Sequence, residues 1–146
     1  MQIKKLLIMS ILHFASMYVL MYSMVNDPSG IYINLNNTYM AEIMTAPMLI
    51  FESILMSSMY KDKNILKAIG AIGTGILIFG FLFIRRQTFI DDRRFIRSMI
   101  PHHSGAILMC EQSHIDDQQL RELCSQIISS QQSEIDQMEA ILSRLN

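Results

Sequence analysis

Three long apolar runs dominate the first part of the chain, at residues 6–25, 39–60 and 65–84. Each run has about 20 residues, which is the length that an α-helix needs to cross the hydrocarbon core of a bilayer. The first run is longer than the apolar part of a signal peptide, and no small-residue cleavage site follows it. The pattern therefore predicts three transmembrane helices, joined by a loop at residues 26–38 and a short polar turn at residues 61–64.

The basic residues predict the orientation of these helices. One side of the predicted spans carries Lys4, Lys5, Lys61 and Lys63, whereas loop 26–38 has no Lys or Arg. Because cytoplasmic loops carry the excess of positive charge, we expect the N-terminus in the cytoplasm and the C-terminal domain on the periplasmic or extracellular side of the membrane. Five arginines just after the third run favour the opposite orientation: Arg85, Arg86, Arg93, Arg94 and Arg97. The first span usually dominates, which favours a cytoplasmic N-terminus.

Residues 87–146 carry most of the charge and have the period of amphipathic α-helices. Asp91 and Asp92 favour a helix start, residues 115–117 form a predicted turn, and a second helix is expected from Gln118 to Leu145. Two helices cannot bury their apolar faces alone, so we expect this hairpin to dimerise into a four-helix bundle. The predicted fold is all-α, with a membrane region at residues 1–86 and an extracytoplasmic hairpin at residues 87–146.

Charge and composition exclude several classes of function. The net charge is -1 and no basic stripe with interleaved aromatic residues occurs, so nucleic-acid binding is not expected. The sequence has no nucleophile–base–acid set, phosphate-binding glycine loop or nucleotide fingerprint, so no enzymatic activity is predicted. Methionine is unusually frequent, with 13 of 146 residues. The chemistry that remains is that of methionine, histidine and cysteine.

Soft donor atoms cluster in the first C-terminal helix, between residues 99 and 114. His102 and His103 directly follow Pro101, which lacks a backbone donor and is expected to kink the helix. Thioether and imidazole ligands together favour Cu(I). Adjacent helical residues point about 100° apart, so the two histidines need not bind the same ion. By helical spacing, His102 shares a face with Met99 and Met109.

The second C-terminal helix places partners opposite these donors when it folds back on the first. The expected neighbours are Cys110 with Cys124, His103 with Gln131, and Met99 with Ile135 and Met138. The cysteine pair permits a disulfide in an oxidising compartment. An alternative without metal also stays open: one histidine forms a hydrogen bond in the core, to Gln131 or Glu134, and the methionines only pack.

A third interpretation concerns a carboxylate-bridged di-iron site. Such a site needs several glutamates and two Glu-x-x-His pairs. The sequence has one such pair, Glu111 with His114, so a second pair would have to come from another subunit.

The first two membrane runs contain a possible polar seam. His13 and Met17 in the first run, and Met44, Met48 and Glu52 in the second, are each spaced by four residues and form two stripes. In an antiparallel pair, His13 would face Glu52 and Met17 would face Met48. The functional interpretation is a set of thioether ligands beside a buried ionisable pair. The alternative is tight packing, in which His13 and Glu52 satisfy each other; either way the stripes need supercoiling to stay in contact.

Two segments resemble a known family. They read Phe95-Ile96-x-x-Met99-Ile-Pro-His102-His103-x-x-Ala106-Ile-x-Met109 and Ile127-Ile128-x-x-Gln131-x-x-Glu134-Ile135-x-x-Met138. In order and spacing, residues 91–146 resemble the bacterial "domain of unknown function 305" family, whose hallmark is the His-His pair. The resemblance implies a ferritin-like helical fold, secretion or membrane anchoring and, for some members, copper binding. Members often carry two copies of this unit, and the single copy here favours a dimer.

The resemblance also implies which residues bind the metal: Met99, His102, His103, Met109 and Met138. Secondary candidates nearby are Cys110, His114, Gln131 and Glu134. Since the family is bacterial, the resemblance implies a protein of the bacterial inner membrane. We expect it to bind Cu(I) for copper buffering or for delivery to a copper-handling partner protein. The alternatives are an interaction protein whose His/Met cluster is packing, and a carboxylate-bridged redox enzyme.

Overall fold

The computed structural model describes residues 2–55, 57–58 and 62–145. It contains five α-helices, α1 (Gln2–Leu20), α2 (Leu35–Leu55), α3 (Lys63–Arg86), α4 (Asp92–Gln112) and α5 (Gln118–Leu145). Two short 3₁₀ turns, Met21–Met24 and Pro28–Gly30, lie between α1 and α2. These described residues contain no β-strand, and the predicted all-α class is confirmed.

The chain forms two compact units, and each is built from two segments. The first unit consists of Met1–Met21 and Asn36–Phe89, and the second consists of Tyr22–Leu35 and Ile90–Asn146. The segment Tyr22–Leu35, hereafter the connecting segment, therefore belongs with the C-terminal helices. The hydropathy pattern gave no sign of this association. The division of the chain into a membrane region and an extracytoplasmic domain stays a prediction.

Two helical stretches of the described chain are long and apolar enough to cross a membrane: Ile3–Met24 and Lys63–Arg86. They correspond to the first and third predicted spans. Helix α2 does not reach the same hydropathy, because its first turn is polar and because Glu42 and Glu52 lie within it. Residues 56 and 59–61, where the second span was predicted to end and the polar turn to begin, lie outside the described residues.

Helix α2 begins at Leu35, so the prediction that residues 35–38 belong to a loop was wrong. Asn36 and Asn37 favour turns, but they are equally suited to the first turn of a helix, where the backbone N–H groups lack intrahelical partners. Asn36 also exchanges two hydrogen bonds with Gln87, at 3.1 and 3.2 Å, beyond the end of α3.

Glycines allow α2 and α3 to approach closely within the first unit. A Cβ atom on Gly73 would lie 3.0 Å from Leu49 Cβ and 3.2 Å from the Ala46 carbonyl oxygen. A Cβ atom on Gly80 would lie 3.0 Å from Ile43 Cγ1. These contacts leave no room for a larger side chain at either position without a shift of the neighbouring helix.

Helices α4 and α5 form an antiparallel hairpin in the second unit. Asp91 caps α4 by accepting a 2.9 Å hydrogen bond from the Arg94 backbone N–H, and α5 begins at Gln118, as predicted. The core between the helices consists of Ile96, Ile100, Ile107, Ile135 and Leu142. Tyr32 of the connecting segment packs against this core. The hairpin thus has a third packing element within its own chain.

Candidate metal site

A disulfide bond between Cys110 and Cys124 fixes the register of the hairpin. Their Cα atoms are 5.3 Å apart, and the bond joins the end of α4 to the beginning of α5. The predicted apposition of these two cysteines is confirmed. Their sulfur atoms are bonded to each other, so neither is a thiolate that could bind a metal.

His103 faces the interior of the hairpin. The residue is 7% exposed, and its Nδ1 atom lies 3.1 Å from Oε2 of Glu134 on α5. The pair does not meet the angular requirement of a hydrogen bond, so the buried Nδ1 atom has no hydrogen-bond partner among the described residues. Glu134, one of the two α5 residues considered as partners of this histidine, therefore contacts it.

Burial changes the protonation of His103. Removal from water lowers the pKa of the imidazole below its usual 6.5, and the neighbouring His102 lowers it further, whereas the Glu134 carboxylate raises it in opposition. Because burial dominates, His103 is neutral at pH 7. A neutral imidazole has a free lone pair, which a metal ligand requires.

His102 lies on a different side of α4. It is exposed, and its ring centroid is 5.9 Å from that of His103 with an angle of 62° between the rings. One histidine thus faces the solvent and the other faces the core, as the helical period requires. Helix α4 continues through Pro101, which is itself buried.

The three candidate methionines differ in exposure. Met109 is 53% exposed, whereas Met99 is half-buried. Met138 is also half-buried and packs against the apolar core between α4 and α5. Met109 is therefore the most accessible thioether of the three.

The connecting segment is bound along α4 directly after the two histidines. The backbone N–H of Asn26 donates a 2.8 Å hydrogen bond to Ser104 Oγ, and the Asn26 side-chain amide donates a 3.0 Å hydrogen bond to Glu111 Oε2. Met24 packs against Gly105. The sequence analysis missed these contacts, although the small residues Ser104 and Gly105 after the histidines are a signal of close backbone approach.

The elements of the predicted Glu-x-x-His pair are not brought together. Glu111 accepts the hydrogen bond from Asn26, whereas His114 lies in the exposed turn with its Nε2 atom 3.6 Å from Asp116 Oδ1. Across the part of the chain that the structure describes, no three His, Cys, Asp or Glu side chains form a group that could hold a metal ion.

The first unit contains a cavity of about 230 Å³ between α1, α2 and α3, lined by Ser10, Ile11, Phe14, Glu42, Thr45, Ala46, Leu49 and Ile76. None of the predicted seam residues lines it. Met44 is 45% exposed, and within the described ranges no hydrogen bond or ion pair joins His13 to Glu52. The seam, with Met17 and Met48, stays a prediction.

The fold and this site define a class: an all-α protein with apolar N-terminal helices and a C-terminal helical hairpin that carries adjacent histidines. Residues 85–143 match the model of the family described as domain of unknown function (DUF305). The chain is also 38% identical over 119 residues to the uncharacterized protein L153 of Acanthamoeba polyphaga mimivirus, covering 80% of this chain and 76% of that protein. The chain belongs to the DUF305 family.

The similarity to known proteins extends beyond the hairpin, but it does not show in which membrane, if any, the protein lies. The alignment to the mimivirus protein is about twice as long as the family match, so the similarity includes residues outside the C-terminal domain. The relative is viral, so the comparisons give no support to the predicted bacterial inner membrane. No solved structure matches the chain.

Proposed function

We propose that this chain is an integral membrane protein whose hairpin binds Cu(I), for buffering or for delivery to a copper-handling partner. The observation that carries the proposal is His103: a buried, neutral imidazole with Nδ1 held against Glu134. Glu134 would orient the ring if Nδ1–H turned to donate to it on metal binding, and Nε2 would then be the ligand. His102, Met99, Met109 and Met138 supply the further candidate donors.

The available donors fit a soft monovalent ion. Neutral imidazole and thioether are ligands that favour Cu(I), whereas zinc favours thiolates, carboxylates or several histidines. The disulfide removes Cys110 and Cys124 from the donor set. The protein's part in such a site would be to hold His103 neutral and oriented, and to present the thioethers beside it.

The second unit is formed by two separate segments of the chain, and this supports all three predicted spans. It contains the connecting segment, which follows α1, and the hairpin, which follows α3. Segments packed together lie on the same side of a membrane, so the chain between them must cross the membrane an even number of times. If α3 crosses, α2 crosses as well, although α2 is the more polar helix. The proposed protein therefore has three spans.

The disulfide supports the orientation of those spans. Disulfides persist in oxidising compartments and are rare in the cytosol, which favours a hairpin outside the cytoplasm and an N-terminus inside. Labelling with a membrane-impermeant maleimide tests this topology, using Ser29→Cys in the connecting segment and Gln126→Cys on α5. Both variants should react in intact cells; reaction of only one of them would refute the three spans.

The outer face of α5 supports a dimer. Four large apolar residues recur along this helix and are 38–49% exposed: Leu120, Leu123, Ile141 and Leu145. Burying this stripe against a second copy would complete a four-helix bundle. Light scattering in detergent should therefore give a dimer, and Leu123→Glu should shift it towards the monomer. A monomeric wild-type protein would refute this part of the proposal.

Copper binding is tested by titrating the full chain, in detergent, against a chromogenic Cu(I) chelator. Ascorbate keeps the copper monovalent and leaves the disulfide intact. Replacing both histidines, His102→Ala with His103→Ala, should weaken binding by at least about tenfold, since even partners beyond the ligands are worth about that much. The matched control is Gln126→Ala, an exposed position of α5. Equal Cu(I) affinity of the double variant and the wild type would favour the packing interpretation, in which His103 is a core residue beside Glu134 and binds no metal.

A further inference from the structure

Met24 lies directly against α4 at Gly105. A Cβ atom on Gly105 would be 3.2 Å from the Met24 carbonyl oxygen and 3.7 Å from Met24 Cβ. The absence of a side chain at Gly105 thus allows the backbone of the connecting segment to touch the helix. The Asn26 hydrogen bonds to Ser104 and Glu111 hold the segment in place two residues further on.

Gly105 lies between the two exposed donors of α4. His102 precedes it by three residues and Met109 follows it by four, so all three positions share one face of the helix. The two donors themselves are seven residues apart, which corresponds to about 10.5 Å along the helix axis. Met24 packs against α4 between these two positions.

We propose that Met24 is a ligand that joins His102 and Met109 in one site for a soft monovalent ion, Cu(I) or its mimic Ag(I). This inference rests on the proposed copper binding and adds a donor from outside the family domain. Met24 is 46% exposed and Met109 53% exposed, and His102 is exposed too, so the protein encloses none of the three side chains. Imidazole and two thioethers form a donor set that favours these ions.

The site is distinct in position from the interior of the hairpin. His103 points towards Glu134 on α5, whereas His102, Gly105 and Met109 lie on the side of α4 that carries Met24. The connecting segment therefore does more than cover apolar surface, because it supplies a donor atom to the exposed face of α4.

The test is an NMR titration of the full chain in detergent micelles, with ¹³C-labelled methionine methyl groups and ¹⁵N-labelled histidine. Ag(I) serves as the probe because it is not oxidised. The methyl signals of Met24 and Met109 and the ring signals of His102 should shift together at one equivalent. Met9 is a half-exposed methionine of α1 and should not respond. If the signals of Met109 and His102 shift and that of Met24 does not, Met24 is not a ligand, but the proposed copper binding is unaffected. If no signal of the hairpin shifts, the proposed copper binding is refuted as well.

Substitution provides an independent readout. Met24→Leu preserves volume and apolar character, so the fold should be retained, and its Cu(I) affinity should fall by about tenfold or more. Met9→Leu is the matched control and should bind as the wild type does. If Met24→Leu also binds as the wild type does, Met24 is not a ligand. Helical content by circular dichroism checks that both variants are folded.

Discussion

Removing the disulfide between Cys110 and Cys124 should loosen the whole hairpin, although the bond lies at one end of it. The bond closes a loop between residues 14 apart. For a loop of this length, the restriction of the unfolded chain is worth about 3 kcal/mol. Since about 1.4 kcal/mol corresponds to a factor of ten in an equilibrium constant, Cys110→Ser with Cys124→Ser should raise the opening constant of the hairpin about 100-fold.

Amide hydrogen exchange measures this opening constant residue by residue. The informative amides are those of Ile100, Ile107 and Ile135, because these residues form the core between α4 and α5 and lie far from the helix ends. Their protection should fall about 100-fold in the double variant, and reduction of the wild-type disulfide by a phosphine should give the same loss. Unchanged protection would refute the reasoning, because it would mean that the core and the connecting segment hold the hairpin without help from the bond.

Three further outcomes follow from the site. The pKa of His103 is lowered in the folded state, so the unfolded protein binds more protons below pH 6.5. The stability of the metal-free hairpin, measured by hydrogen exchange, should therefore be full above pH 6.5 and decline as the pH falls. A rise in stability on acidification would contradict the lowered pKa of His103. Gly105→Ala favours the helix but collides with Met24, so Cu(I) affinity should fall while helical content is kept; unchanged affinity would show that the contact is unimportant. Asp91→Ala should cost about 1 kcal/mol in thermal unfolding through loss of the cap on Arg94 N–H, with the exposed Asp92→Ala as control.

Much of the hairpin follows from local rules. Asp91 begins a helix because its side chain accepts from a free backbone N–H, and the 3.6-residue period of apolar positions defines both helices. The turn is short, so the helices must be antiparallel, and this alone brings Cys110 to Cys124. Each of these features depends on residues close together in the sequence, which is why the sequence suffices to predict them.

The partner of His103 depends on more than helical spacing. Gln131 and Glu134 are three residues apart on α5, and the pairing of Cys110 with Cys124 alone would place Gln131 opposite the histidine. The structure brings Glu134 to Nδ1 of His103. Which of two neighbouring turns meets His103 depends on how α5 rotates and crosses α4, and side-chain packing along both helices determines this angle.

The packing of the connecting segment on α4 could not be predicted from the sequence, for a different reason. It has no periodic apolar pattern, and it reaches α4 through single contacts: Asn26 to Ser104, and Met24 to Gly105. Such contacts join residues about 80 positions apart and depend on how the intervening helices return the chain. The exposed Met24 therefore carried no signal in the sequence that distinguished it from the other methionines.

The two-segment construction of the second unit has a consequence for how the protein is made. Tyr22–Leu35 leaves the ribosome first, and its binding surface on α4 follows only after residues 36–89 have been synthesised. The bond from Asn26 to Ser104 can therefore form only after the intervening helices have been made. In the proposed three-span topology, a chain with the wrong number of crossings would separate the two segments and leave Tyr32 and its apolar core partners uncovered. Cellular proteases could recognise a misassembled copy by this exposed core.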